Sequence, residues 1–159
     1  MKQSIDASGL LKAWNALPPG PKAELRRTAE PDDLLSIPAF YRLVQPAGWH
    51  EDLNQFERQS LLRLVFVLST DAITNTETDI SLGKALASNK ERRISEMRLY
   101  QIIRSDWPND MVQLRRVIKQ VGPTLRWSSL VRQLTYWNTE SKRRLLEDFV
   151  LGLHKEKKD

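Results

Sequence analysis

The sequence contains no cysteine. That excludes disulfides, thiolate metal sites and cysteine nucleophiles, and it suits a reducing compartment. Histidine is nearly as scarce. His50 lies beside a loop tryptophan and His154 lies near the C-terminus, so the two are poorly placed to share acid–base work. The six glycines fall in no GxGxxG or Walker pattern, and neither HExxH nor GxSxG occurs. Acidic pairs do occur, at Asp32-Asp33, Glu51-Asp52 and Glu147-Asp148. Adjacent side chains on a helix diverge by about 100°, so such pairs read as helix caps or solvated faces rather than metal sites. No catalytic residue, metal or cofactor is expected. The densest apolar run, Leu64 to Leu68, is far too short to cross a bilayer. The start, MKQSIDASGLLKAW, lacks the continuous apolar stretch of a signal peptide. A cytoplasmic protein with no membrane partner is expected.

What is present is a chain of 159 residues, 40% hydrophobic and 28% charged, which is the balance of a folded protein with a real core. Its net charge of +5 is unevenly distributed. Residues 1–79 carry 8 Lys/Arg against 11 Asp/Glu, a net of −3, whereas residues 80–159 carry 17 against 9, a net of +8. A polyanionic partner for the second half is the direct physical inference. Fifteen of the 25 basic residues are arginine, whose fork matches phosphate oxygens in pairs.

Helical periodicity runs through the whole chain, without convincing β-alternation or an internal repeat. Ile5 to Leu17 predicts a helix with Leu10, Leu11, Trp14 and Leu17 on one face, stopped by Pro18-Pro19-Gly20-Pro21. Trp14 reads as a core anchor. A second helix is expected over Lys22–Ala29, carrying Arg26 and Arg27, and a further turn opens at Asp32. Asn54 to Ser69 reads as a helix that is apolar almost all round, interrupted by Arg63. Such a helix belongs at the centre of a bundle, with Arg63 either paired to an acid or emerging at a surface. The polar stretch Thr70–Asp79 reads as a flexible link. The predicted fold is therefore all-α, a helical bundle in two lobes: an N-terminal lobe over 1–79 and a basic C-terminal lobe over 80–159.

In the second half, a short helix around Ile80–Ala87 is expected, capped by Ser81 or Asp79. Gly83 and its neighbouring alanines leave room for another backbone or a ligand. Ser95 to Val121 reads as two helices joined at Trp107-Pro108-Asn109. On a helical wheel Met111, Leu114, Val117, Ile118 and Val121 share an arc of roughly 120°, while Arg115, Arg116 and Lys119 share another of about 100°. In the preceding helix Leu99, Ile102 and Ile103 form a face flanked by Arg98 and Arg104. One side suits a core and the other a nucleic-acid backbone. Outward arginines are also what any solvated helix face carries. Trp127–Trp137 predicts a further helix, and Asn138 or Thr139 caps the last one. There Lys142, Arg143 and Arg144 crowd the first turn, where the helix dipole disfavours positive charge. That misfit suggests a nearby phosphate. The tail HKEKKD reads as frayed.

Five segments together resemble the CasB family, the small subunit of the type I-E CRISPR surveillance complex Cascade. They are RRTAEPDDLLSIPAFYRLVQPAGW (Arg26–Trp49), ISLGKALA (Ile80–Ala87), RLYQIIRSD (Arg98–Asp106), DMVQLRRVIKQ (Asp110–Gln120) and LLEDFVL (Leu145–Leu151). The resemblance implies a non-catalytic, two-lobed helical protein. Its partners would be the other Cascade subunits, a second copy of itself, the guide RNA (crRNA), and the target and non-target DNA strands. It implies a role in holding the guide–target hybrid and giving the displaced strand a basic track. Arg98, Arg104, Arg115 and Arg116 match basic positions of the family's nucleic-acid surface, and Arg26, Arg27 and Lys84 match further ones. Trp107-Pro108 and Lys142–Arg144 depart from the family's pattern. Two other readings stand beside this one. A helix-turn-helix regulator would use Asp110–Val121 for recognition, though no glycine turn precedes it and Gln113 is the only polar base reader near the arginines. An RNA-processing enzyme would need a site that the sequence does not offer.

Overall fold

The computed structural model describes residues 5–157, the side chains of 155–157 excepted. Asp6 opens α1 (Ala7–Ala16) by accepting a hydrogen bond from the Gly9 amide at 2.9 Å. The proline stretch that ends α1 also begins α2 (Pro19–Arg26), three residues earlier than expected. Proline suits a first helical position, because the amide hydrogen it lacks would be unpaired there. Helix α2 stops at Arg26 rather than Ala29, and the Thr28 hydroxyl donates to the Leu25 carbonyl at 2.8 Å. A 3-10 helix (Pro31–Ser36) and α3 (Pro38–Val44) follow. Helix α4 (Gln55–Leu68) starts with a capping box between Asn54 and Glu57.

Helix α4 is buried continuously from Ser60 to Leu68 and packs against α7, α8 and the 3-10 helix. Arg63, on this helix, is only 6% exposed. It forms no ion pair with an acid among the described residues and does not emerge at the surface. Its guanidinium donates to the Leu134 carbonyl at 3.0 Å and lies 5.7 Å from the Trp107 ring centroid. Burial lowers its pKa, and the Asp110 carboxylate works in the opposite direction.

Thr70–Asp79 is not a free link. Thr74–Asn75 (β1) pairs in parallel with Thr124–Leu125 (β2). The Thr74 amide donates to the Pro123 carbonyl, the Thr76 amide to Leu125 and the Arg126 amide to Ile80, all within 2.9–3.0 Å. Asn75 then caps the start of α8 by accepting from the Trp127 amide. Two-residue strands have no room for the alternation that would reveal them in sequence. The core is also continuous across residues 79 and 80, since buried residues of both halves form one cluster. Helices α1 and α8 pack together, and the Trp127 indole N–H donates to the Ala7 carbonyl at 2.6 Å. Trp14 is buried as expected, and its indole donates to Asp71 at 3.0 Å.

The rest of the fold is α5 (Leu82–Ser88), α6 (Glu96–Arg104), α7 (Asn109–Val121), α8 (Trp127–Thr135) and α9 (Thr139–Lys157). Ser81 caps α5 and Ser95 caps α6. Asn138 caps α9, accepting from the Ser141 amide at 3.0 Å. The tail expected to fray is helical as far as Lys157, and Lys158 and Asp159 lie outside the described residues. Helix α7 ends at Gly122, whose φ of 62° is the left-handed cap that glycine adopts at least cost.

Helices α5 and α9 lie against each other with backbones nearly touching. A Cβ on Gly83 would stand 2.6 Å from the Leu145 carbonyl oxygen, and one on Gly152 would stand 2.9 Å from the Ala87 Cβ. The space at Gly83 is filled by α9 of the same chain. Gly83→Ala should therefore destabilise the protein by about 1–3 kcal/mol through overpacking, although alanine is the better helix former by about 1 kcal/mol. A thermal melt with an unchanged or raised Tm would contradict this packing.

Candidate nucleic-acid interface

Helix α7 turns Met111, Leu114, Val117, Ile118 and Val121 into the core, as the periodicity requires. Its three basic residues then divide. Arg116 and Lys119 are exposed and form no ion pair among the described residues. Arg115 turns inward. Its guanidinium donates to the carbonyls of Thr28, Arg26 (2.7 Å) and Leu25 (3.4 Å) and to the Ser69 hydroxyl (2.9 Å), and it lies 4.2 Å from the Phe66 ring centroid. It thus closes the C-terminal end of α2, whose last carbonyls have no partner within the helix. Burial, and secondarily the charge of Arg26, push its pKa down to about 10, so it keeps its proton near neutrality. The expectation that Arg115 faces outward is corrected. On the wheel it is the basic residue nearest the core arc, roughly 40° from Met111, and its long stem crosses that gap.

This fork brings the end of α2 alongside α7. Arg26 is half exposed, donating to the Ser69 carbonyl at 3.3 Å and standing 3.7 Å from Asp71. Arg27 is exposed and has no ion-pair partner among the described residues. On the other flank, Arg98 of α6 donates to the Gln120 side chain of α7, and Gln113 of α7 donates to the Ser105 hydroxyl at 2.8 Å. Arg104 is exposed and lies 5.3 Å from the Tyr100 ring centroid. Cationic groups of α2, α7 and α6 are thereby held side by side on a rigid frame.

The start of α9 behaves differently from the expectation of a phosphate site at Lys142. Lys142 donates to the Ser105 carbonyl at 3.0 Å, stands 3.6 Å from the Asp110 carboxylate and lies 5.6 Å from the Trp137 ring. Asp110 is 2% exposed and also accepts from the Trp137 indole at 2.8 Å. The Lys142 charge therefore neutralises a buried acid, which accounts for it without a bound phosphate; this does not extend to Arg144, which is exposed. Arg143 is exposed. Lys84 faces a separate cleft shared with Arg132 and Arg144, and with Asp79, Glu140 and Asp148. The acids there leave it less suited to a polyanion than the α7 face.

The helix-turn-helix reading fails on this geometry. A recognition helix needs exposed residues at its start to reach base edges. Here Asp110 and Met111 are buried and Gln113 is tied to Ser105. Among the described residues no group of three or more His, Asp or Glu is placed to hold a metal, and no helix is long and apolar enough to cross a membrane.

A small, mostly helical protein that presents exposed arginine and lysine on one face, with base readers withheld, has a surface suited to phosphates and not to reading sequence. Residues 21–149 match the sequence pattern of the CRISPR-associated protein Cse2 family, and the chain belongs to that family. It is 47% identical over 163 residues to the CRISPR system Cascade subunit CasB of Escherichia coli, covering 98% of this chain and 99% of that one. It superposes on a chain of E. coli Cascade bound to a PAM-containing double-stranded DNA target with a TM-score of 0.89 and 48% identity, covering 96% of this chain and 99% of that one. M. ruber CasB shares the fold at 16% identity, with a TM-score of 0.71 and 98% of each chain covered.

Arg115→Ala should cost about 2–3 kcal/mol, since it leaves partly buried carbonyls without a donor. Arg115→Lys should restore little of this, because a point ammonium does not span several carbonyls. Arg116→Ala should stay within about 0.5 kcal/mol of the unmodified chain. Denaturant unfolding of the three variants distinguishes these roles, and equal midpoints for all would refute the fork.

Proposed function

We propose that this chain is a non-catalytic small subunit of a type I-E Cascade complex, present in two copies, working in the cytoplasm with the other Cascade subunits and a guide RNA. The observation that carries this reading is the end-to-end match to a Cascade subunit at 47% identity. In this reading the chain helps to stabilise the guide–target hybrid and the displaced non-target strand. The contacts are to phosphates, because guide pairing supplies the sequence recognition. Arg116, Lys119, Arg104 and Arg27 are the principal contacts, with Arg26 and Arg98 joining by breaking weak surface interactions. Arg143 and Lys84 extend the positive field toward α9 and α5. Arg115 and Lys142 act indirectly, by fixing the elements that carry the others. The two halves act as one body, with 80–159 bearing most of the cationic face.

Co-expression with the other Cascade subunits and a guide should give an assembly whose mass, by native mass spectrometry, includes two copies of this chain. A folded chain absent from every guide-bearing assembly would refute the reading. The double substitution Arg116→Ala, Lys119→Ala should leave the copy number unchanged and weaken retention of the displaced strand. For single-stranded DNA, removing two phosphate contacts should flatten the slope of log affinity against log salt by about 1.4. An unchanged slope would remove these residues from the interface.

A further inference from the structure

Helix α6 carries a second stripe that core packing does not use. Leu99 and Ile102 are buried, while Met97 is 62% exposed and Tyr100 42% exposed. With Arg104 these residues repeat at i, i+3 and i+7, along the outward side of the helix. The other large exposed hydrophobic residues, Tyr41, Phe56, Tyr136 and Leu151, belong to other elements. Tyr41 is committed structurally, its hydroxyl donating to the Leu35 carbonyl and its ring packing edge-on against Phe40 and Trp49. Tyr100 has no aromatic neighbour among the described residues. Its ring contact is the Arg104 guanidinium.

Around it lies an open concavity of about 460 Å³ lined by Met97, Tyr100, Gln101, Arg104, Ser105 and Gln113. Its volume lies in the range that small ligands occupy. Arg116 lies on the same stripe of α7 as Gln113, which lines the concavity and donates to Ser105 at the end of α6, and Gln120, which accepts from Arg98, so its charge stands one turn from Gln113. Glu96 and Asp106 stand at the two ends of α6. The patch is an aromatic face set among cationic and amide groups. Two apolar side chains are too little surface for a hydrophobic protein anchor, but one π-face beside phosphate-binding charge suits one unstacked base.

We propose that Tyr100, backed by Arg104, is a stacking platform for an unpaired base of single-stranded nucleic acid whose phosphates contact Arg116 and Arg98. The proposal rests on the functional reading above and adds a contact that a duplex, with its bases stacked internally, does not make. It gives the basic face a preference for single strands without a preference for sequence, since every base has a π-face.

The test measures fluorescence anisotropy of a labelled oligothymidylate, and of a duplex of equal length, with the full chain at low salt. Tyr100→Ala should weaken single-strand binding about five- to tenfold. It should leave duplex binding and the salt slope unchanged, and Tyr100→Phe should bind as the unmodified chain does. Arg116→Ala with Lys119→Ala should weaken both ligands and lower the slope. If folded Tyr100→Ala binds the single strand normally while the charge variant does not, the platform is wrong and the phosphate surface stands. If neither variant changes binding, or the unmodified chain binds no single strand, both are wrong. If Tyr100→Ala impairs incorporation into the Cascade assembly but not single-strand binding, the patch is a protein contact and the platform is overturned.

Discussion

A helix buried on every side must be enclosed by others, and α4 imposes that requirement on the whole chain. From Ser60 to Leu68 it offers no outward stripe. The 3-10 helix of the acidic half packs on it, and α7 and α8 of the basic half close over it as well. Two arginines bear on this enclosure, and each obeys the same electrostatic rule. A buried guanidinium is tolerated when carbonyl oxygens and aromatic faces replace its water. Arg63 finds Leu134 and Trp107. Arg115 finds the end of α2 and the ring of Phe66 on α4 itself. Part of the connection between the acidic and basic halves is therefore polar, made from residue types that a composition count assigns to the surface.

The helices were legible because burial imposes a period. The apolar arc of α7 was read from spacing, and the small residues around Gly83 signalled a close approach without saying whether a backbone or a ligand would make it. What escaped was decided by long side chains and by partners distant in sequence. Arg115 and Arg116 are adjacent and chemically identical, and only the fit of α2 against α7 separates them. The signal available was angular, since Arg115 stood nearest the core arc. Lys142 carried no such signal, because its partner Asp110 lies 32 positions away in the chain and reads as an ordinary acid at the start of a helix. The polar stretch Thr70–Asp79 looked flexible because its stabilisation comes from pairing with β2 and from side-chain bonds to residues distant in sequence, Asp71 with Trp14 and Asn75 with Trp127. Tyr100 was visible in principle, falling opposite Leu99 and Ile102, but it was read only as part of a resemblance.

Charge distribution carried the functional signal further than any single residue. Arginines that remain unpaired on a folded surface raise the local potential, and that potential acts over about 10 Å at moderate salt. The net charge of the second half is thus an observation about reach, while the orientation of each guanidinium is an observation about contact. The first was available in the sequence. The second required the fold, which withdrew Arg115 and Lys142 from the surface and left Arg27, Arg104, Arg116 and Lys119 upon it.

The ties from α7 to its two neighbours have a further meaning. Arg115 fixes the end of α2, and Gln113 and Gln120 fix α6. These ties hold the elements that carry the outward cations, and leave the ends of the exposed side chains of Arg27, Arg104, Arg116 and Lys119 to be ordered separately. A surface built this way is a fixed frame with movable tips: the helices need not rearrange to meet an anion, and the ordering cost falls on the long side chains.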